Sequence, residues 1–249
     1  MDTALSDAIS ETLARSALWR LAAALFRYPD VEADRELRDP GAWGLAERGA
    51  GAWGGERVRR ALSAVREEVL SLPREALEAG YGTVFGHTVR CAAPPYETEW
   101  GREEGLLQPH RLADLAAFYR AHGLRSAPAS ERPDHVAVEC EFLHFLAFKE
   151  AYALSREHPA EARICRETTA RFLEEHLGRF ALAFAGSLRR EAKEGPYAAA
   201  ADFLHALVVA DCASLCVRPG GEDLALRTVS FEDEAGCMSC VARPAGPPG

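Results

Sequence analysis

The chain has 249 residues, 48% of them hydrophobic, with 38 acidic against 29 basic residues and a formal charge of -9. That apolar share is enough for a proper core and excludes a disordered chain. The acid excess, with no basic stripe to neutralise a phosphate backbone, argues against nucleic acid; it fits a soluble surface and favours cationic partners such as an arginine-bearing peptide.

The N-terminus carries Asp2, Asp7 and Glu11 and lacks a basic stretch ahead of an apolar run, so it does not read as a secretory signal. Ile9, Leu13, Ala17, Leu18, Leu21 and Leu25 recur at helical spacing and predict a first amphipathic helix ending before Pro29. The glycine-rich stretch 40–55 reads as a loop, and Val58, Leu62, Val65 and Val69 mark a second helix. Pro73 opens a further segment through "YGTVFG". From His87 to Gln108 no period holds, and a connection of that length is usually functional or mobile.

Leu112, Leu115, Ala116 and Tyr119 restore the helical period, with Gly123 as its stop and a linker over 123–132. Three long helices are then expected over 133–157, 160–192 and 197–216, with Pro159 and Pro196 at helix starts. The only hint of a two-residue period is "LALRTVSF" near the end. The expected fold is all-α: one helical bundle over residues 1–216, with a long central loop and a hinge before the C-terminal helices. Residues 217–249 are expected as a partly disordered tail. The most apolar stretch, near residue 200, is interrupted by Asp202, His205 and Asp211, short of the ~20 apolar residues a span requires. No membrane insertion is expected, and the location expected is the cytoplasm.

"SERPDHVAVECEFLH", residues 130–144, carries the densest chemistry. Glu141 and His144 have the Glu-x-x-His spacing of di-iron bundles, and His135 and Glu139 share a helix face. Such a site needs the spacing twice plus two further glutamates, and the nearest substitute is Asp202 with His205. A helical metalloprotein or metalloenzyme using Glu141, His144, Asp202 and His205 is therefore the alternative reading. No G-x-S-x-G elbow, phosphate loop or dinucleotide fingerprint is present, so neither an enzyme nor a cofactor is expected. Cys212, Cys216, Cys237 and Cys240 could hold zinc or an iron–sulfur cluster, but free thiols fit a reducing compartment better.

Local physics gives the segment a different character. Ser130 suits a helix cap, Pro133 a first turn, and Glu131 and Asp134 the positive end of a helix dipole. This describes a hinge between helical blocks and leaves His135 unexplained.

"YGTVFG" at 81–86, "PPYET" at 94–98, "ERPDHVAVECEFLHFL" at 131–146 and "RFLEEHLGRFALAF" at 171–184 stand in an order that resembles the TorD/DmsD family of cytoplasmic chaperones for molybdenum-containing oxidoreductases. The resemblance runs from the first helix to about residue 216. One departure is visible: the family usually writes Glu-Pro-Asp-His, and here Arg132 stands between Glu131 and Pro133. The resemblance implies a chaperone that binds the twin-arginine signal peptide of an apo molybdopterin oxidoreductase catalytic subunit, delays its export and assists cofactor insertion, acting as a monomer or dimer. By position it assigns peptide binding to Tyr81, Val84, Phe85, Pro95, Tyr96, Glu97, Pro133, Asp134 and His135. Glu139 and Glu141, with Asp134, would face the paired arginines through charge-assisted hydrogen bonds. Removing Asp134 or His135 is expected to weaken peptide binding while sparing stability.

Overall fold

The computed structural model describes residues 3–86, 91–101, 108–125 and 131–227. Within them the chain is an all-α single-domain bundle. Helix α1 (Thr3–Phe26) leads into α2 (Val31–Leu37) and α3 (Pro40–Gly49), followed by α4 (Gly55–Ser71) and α5 (Arg74–Phe85). After the central loop come α6 (Gln108–Ala121), α7 (Val136–Ser155), α8 (Pro159–Glu175), α9 (Leu177–Ala192) and α10 (Pro196–Ser214). Helix α7 packs on α1 and α8, and α10 packs on α4 and α9. Trp19, Phe26, Phe142, Phe172, Phe180, Phe184 and Phe203 are fully buried between these layers.

The glycine-rich stretch is not a loop. Asp39 caps α3 by accepting from the Gly41 N–H, Pro40 occupies the first turn, and a π-helical turn over Ala50–Gly54 runs on into α4. Gly49 serves packing: a Cβ there would stand 2.8 Å from the Ala14 carbonyl oxygen, so α1 and α3 touch backbone to backbone. The expected face of α1 holds at Leu18, Leu21 and Leu25, which are buried, but not in the first half of the helix. Leu13 is 43% exposed, while Thr12, Arg15, Ser16 and Trp19 point inward. Polar groups are tolerated there because they are bonded: Arg15 pairs with Glu150 of α7, and the Trp19 indole donates to Asp211 of α10 at 2.7 Å.

Val58, Leu62, Val65 and Val69 are buried as expected, as are Leu115 and Tyr119, and Gly123 closes α6 at φ +83°. The single helix expected over 160–192 is two. His176 leaves helical geometry at φ -126°, ψ -106°, and a Cβ on Gly178 would lie 2.2 Å from the Leu173 carbonyl oxygen. The chain turns a corner there, too tight for any side chain at Gly178.

Helix α10 is long and apolar enough to cross a membrane by length and composition alone, against the expectation, but 61% of its apolar window is buried within the bundle. It is the core helix. "LALRTVSF" yields an isolated antiparallel bridge, Trp100 with Leu226, and positions 228–231 fall outside the described residues. The stretch 217–227 folds back on the bundle. Gly220 donates to the Gly178 carbonyl, and Val217 and Leu224 pack against the core.

Candidate peptide-binding site

Two loops far apart in sequence are laced together. The Val136 N–H donates to the Pro95 carbonyl at 2.7 Å and the Glu97 N–H to the Asp134 carbonyl at 2.9 Å, which pairs Tyr96 with His135 as an isolated antiparallel bridge. The "PPYET" and "RPDH" motifs are thus one unit, braced by Tyr119, whose hydroxyl donates to the Pro133 carbonyl at 2.7 Å.

Helix α7 starts three residues later than expected, and Ser130 lies outside the described residues. His135 is the cap: its Nδ1 accepts from the Ala137 N–H at 3.1 Å. This explains the histidine, fixes its proton on Nε2 and hides it almost completely. Burial, seconded by the nearby Arg132 charge, pushes its pKa down to about 3.

Asp134 is not in a helical first turn but at the centre of the laced loops, with no exposed surface. Its carboxylate accepts from Arg132 Nε at 3.0 Å, Arg132 Nη2 at 2.8 Å and the Thr98 hydroxyl at 2.7 Å. The Arg132 guanidinium lies 4.4 Å over the Tyr96 ring. Glu97, also fully buried, meets Arg111 of α6 at 3.0 Å, Arg179 of α9 at 3.1 Å and His176 at 3.1 Å. Burial would raise the Glu97 carboxyl, but the His176 hydrogen bond and the charges of His176, Arg179 and Arg111 outweigh it and hold it below the usual carboxylate range.

Glu139 is fully buried and neither carboxylate oxygen has a hydrogen-bond partner. Burial, then the nearby Glu97 and Asp134 charges, raises its pKa well above the ordinary value, so it is held protonated. Neither Asp134 nor Glu139 faces solvent, and Glu139 is not on a solvated face. Glu141 is exposed but lies elsewhere, beside Arg20, Arg27 and His144.

The accessible part of the unit is aromatic with an acidic edge. Tyr81 of α5 contacts Tyr28, which is 52% exposed, at 5.4 Å between ring centroids, and Phe85 at 4.6 Å. Exposed Glu131 raises both the Tyr81 and Tyr96 phenols, after burial itself. Val84 and Phe85 are core residues; Phe85 faces Phe184 and Tyr197. Of the positions expected to bind peptide, Tyr81, Tyr96 and Pro133 are part-exposed, Glu141 stands apart, and Val84, Phe85, Pro95, Glu97, Asp134, His135 and Glu139 are buried.

Sequence reasoning gave no role to Thr98, Arg111, Arg132, His176 or Arg179. Two of these lie inside the "RFLEEHLGRFALAF" stretch, where a histidine and an arginine interrupt an apolar face. Arg111 and His176 also line a groove of about 960 Å³ between α6 and α8.

The metal alternative does not assemble. His144 bonds the Ser16 hydroxyl at 2.8 Å, Asp202 pairs with Arg189 at 3.2 Å and His205 with Glu222 at 2.9 Å. Among the described residues no three His, Cys, Asp or Glu side chains gather as a metal site. Cys212 is buried and Cys216 exposed, while Cys237 and Cys240 lie outside the described residues.

Residues 55–186, spanning α4 to α9 and both laced loops, match the family model described as nitrate reductase delta subunit. The chain belongs to this TorD-like family. It is 34% identical over 185 residues to the dimethyl sulfide dehydrogenase assembly chaperone protein of Rhodovulum sulfidophilum, covering 68% of each chain. It is 29% identical over 187 residues to the perchlorate reductase assembly chaperone protein of Dechloromonas aromatica, covering 71% of this chain and 78% of that one. It is 28% identical over 136 residues to the chaperone protein TorD of Vibrio cholerae serotype O1, covering 54% of this chain and 60% of that one. The TorD-like relatives are named as chaperones, not enzymes.

Proposed function

We propose that this chain is a system-specific maturation chaperone of the cytoplasm, acting as a monomer or dimer. It binds the twin-arginine signal peptide and apo form of a molybdopterin-containing oxidoreductase subunit, delays its export and assists cofactor insertion. The observation that carries this reading is the patch of Tyr28, Tyr81, Tyr96 and Glu131 over the laced loops. Aromatic faces suit the apolar stretch of a leader, and acids suit its arginines. Membership of a family whose relatives are named assembly chaperones supports the same role.

The test is titration of the full chain with a labelled synthetic leader containing paired arginines. Saturable binding is expected, weakened by Tyr81→Ala and by Glu131→Gln. No saturable binding to the wild-type chain, at leader concentrations up to hundreds of micromolar, overturns the reading; about 1 mM marks only 4 kcal/mol of affinity.

A further inference from the structure

The Arg132 guanidinium is held as a bound ligand is held. Two parallel N–H groups meet the Asp134 carboxylate at 3.0 and 2.8 Å, a third contact reaches the Thr98 hydroxyl at 2.9 Å, and the Tyr96 ring covers the plane at 4.4 Å. A fork against a carboxylate and a flat face against an aromatic ring are the features that separate guanidinium from ammonium.

The receiving side does not depend on Arg132 for its shape. Thr98 donates to Asp134 from its hydroxyl at 2.7 Å and its N–H at 3.3 Å, and Gln108 donates to the Thr98 hydroxyl at 2.9 Å. The Asp134 carbonyl is fixed by the Glu97 N–H. Asp134 has no exposed surface, whereas the Arg132 side chain keeps 33% of its own and closes the site on the solvent side. Arg132 is therefore the removable member.

We propose that Tyr96, Thr98 and Asp134 form a guanidinium-binding site occupied by the chain's own Arg132, and that an arginine side chain of the client leader exchanges with Arg132 there. The exchange rests on the signal-peptide reading above; the site itself does not. Exchange conserves charge at Asp134, so its buried carboxylate keeps a cation throughout, and Arg132 is released towards solvent beside Glu131. A tethered competitor of this kind lowers the apparent affinity for the incoming arginine by the fraction of time it is away.

The experiment compares the wild-type chain with Arg132→Ala. Guanidinium chloride at about 10 mM, far below the molar range that unfolds proteins, is expected to raise the Tm of Arg132→Ala relative to sodium chloride of equal strength, and to leave the wild type unmoved. Arg132→Ala is also expected to bind a paired-arginine leader about tenfold tighter than wild type, as follows if Arg132 is seated about nine-tenths of the time, and to show no such gain for a paired-lysine leader. Equal Tm in both salts overturns the site. Rescue by guanidinium with unchanged leader affinity overturns the exchange. Rescue with no leader binding by either protein keeps the site and removes the signal-peptide reading instead. Should Arg132→Ala fail to fold, Arg132→Lys, which keeps a cation without the fork, decides by the same two measurements.

Discussion

His176 Nδ1 meets the Glu97 carboxylate at 3.1 Å although 79 positions separate them in the chain. The contact ties the central loop to the corner between α8 and α9, and Arg179 adds a second tie from the same corner.

Removing Glu97 takes the fully buried carboxylate away from buried His176 and part-buried Arg179. Glu97→Ala is expected to destabilise the fold by about 3–5 kcal/mol, the usual cost of orphaning one side of a buried ion pair. Urea unfolding followed by circular dichroism measures it, and a loss under about 1 kcal/mol would show the cluster to be dispensable.

The acid limb of stability has two named sources with the same sign. His135 is neutral when folded, with its pKa lowered from 6.5 to about 3, so the unfolded chain takes up a proton that the folded one refuses. Its contribution is complete above about 6.5 and is lost as pH falls towards 3; at about 1.4 kcal/mol per pH unit this is on the order of a few kcal/mol. The lowered Glu97 carboxyl likewise contributes above its unfolded pKa and fails as pH falls through its folded one. His135→Asn, which retains a capping side chain without titrating, is expected to flatten the slope between pH 6.5 and 4 in thermal melts.

Glu139 has the opposite sign. Its pKa is raised well above 4.5, so the folded chain holds a proton that the unfolded chain releases, and stability declines as pH rises above 4.5 towards the folded value. Glu139→Gln keeps the shape and removes the ionisation. It is expected to raise Tm at pH 8 by several degrees and to have little effect at pH 4; equal Tm values for variant and wild type at pH 8 would contradict the assignment.

Gly178→Ala is expected to cost at least 1–3 kcal/mol, as overpacking does, because the new Cβ would stand 2.2 Å from a backbone oxygen that has no freedom to retreat. The matched control is Gly51→Ala, whose added Cβ meets nothing within 4 Å. Parallel denaturation curves that coincide would mean that the corner relaxes.

Asp134 and His135 are buried anchors, so replacing either removes stability along with any peptide contact. This replaces the expectation that stability would be spared. Binding assays on such variants need a folding control.

The fold class was legible because apolar periodicity reports which residues pack: α4 buries the face its spacing predicts, and α6 buries Leu115 and Tyr119 with Leu112 and Ala116 half-buried beside them. Periodicity was misleading where packing is made by other means. Arg15 and Ser16 enter the core through hydrogen bonds to α7, and Gly49 enters by having no side chain at all. The corner at His176 left no proline to announce it. At the site, motif spacing found the two loops, but their lacing is a tertiary fact. Of the three acids expected to face the arginines, Asp134 is satisfied from within, Glu139 is buried with its carboxyl pKa raised, and Glu141 is exposed but stands apart.

The backbone contacts of the stretch 217–227 have a consequence in time. The Gly101 N–H is satisfied by the Ala225 carbonyl, and the Glu99 carbonyl by the Arg227 N–H. During synthesis those partners leave the ribosome long after the loop they complete, so the Glu99 carbonyl and the Gly101 N–H await them through the translation of five helices, α6 to α10.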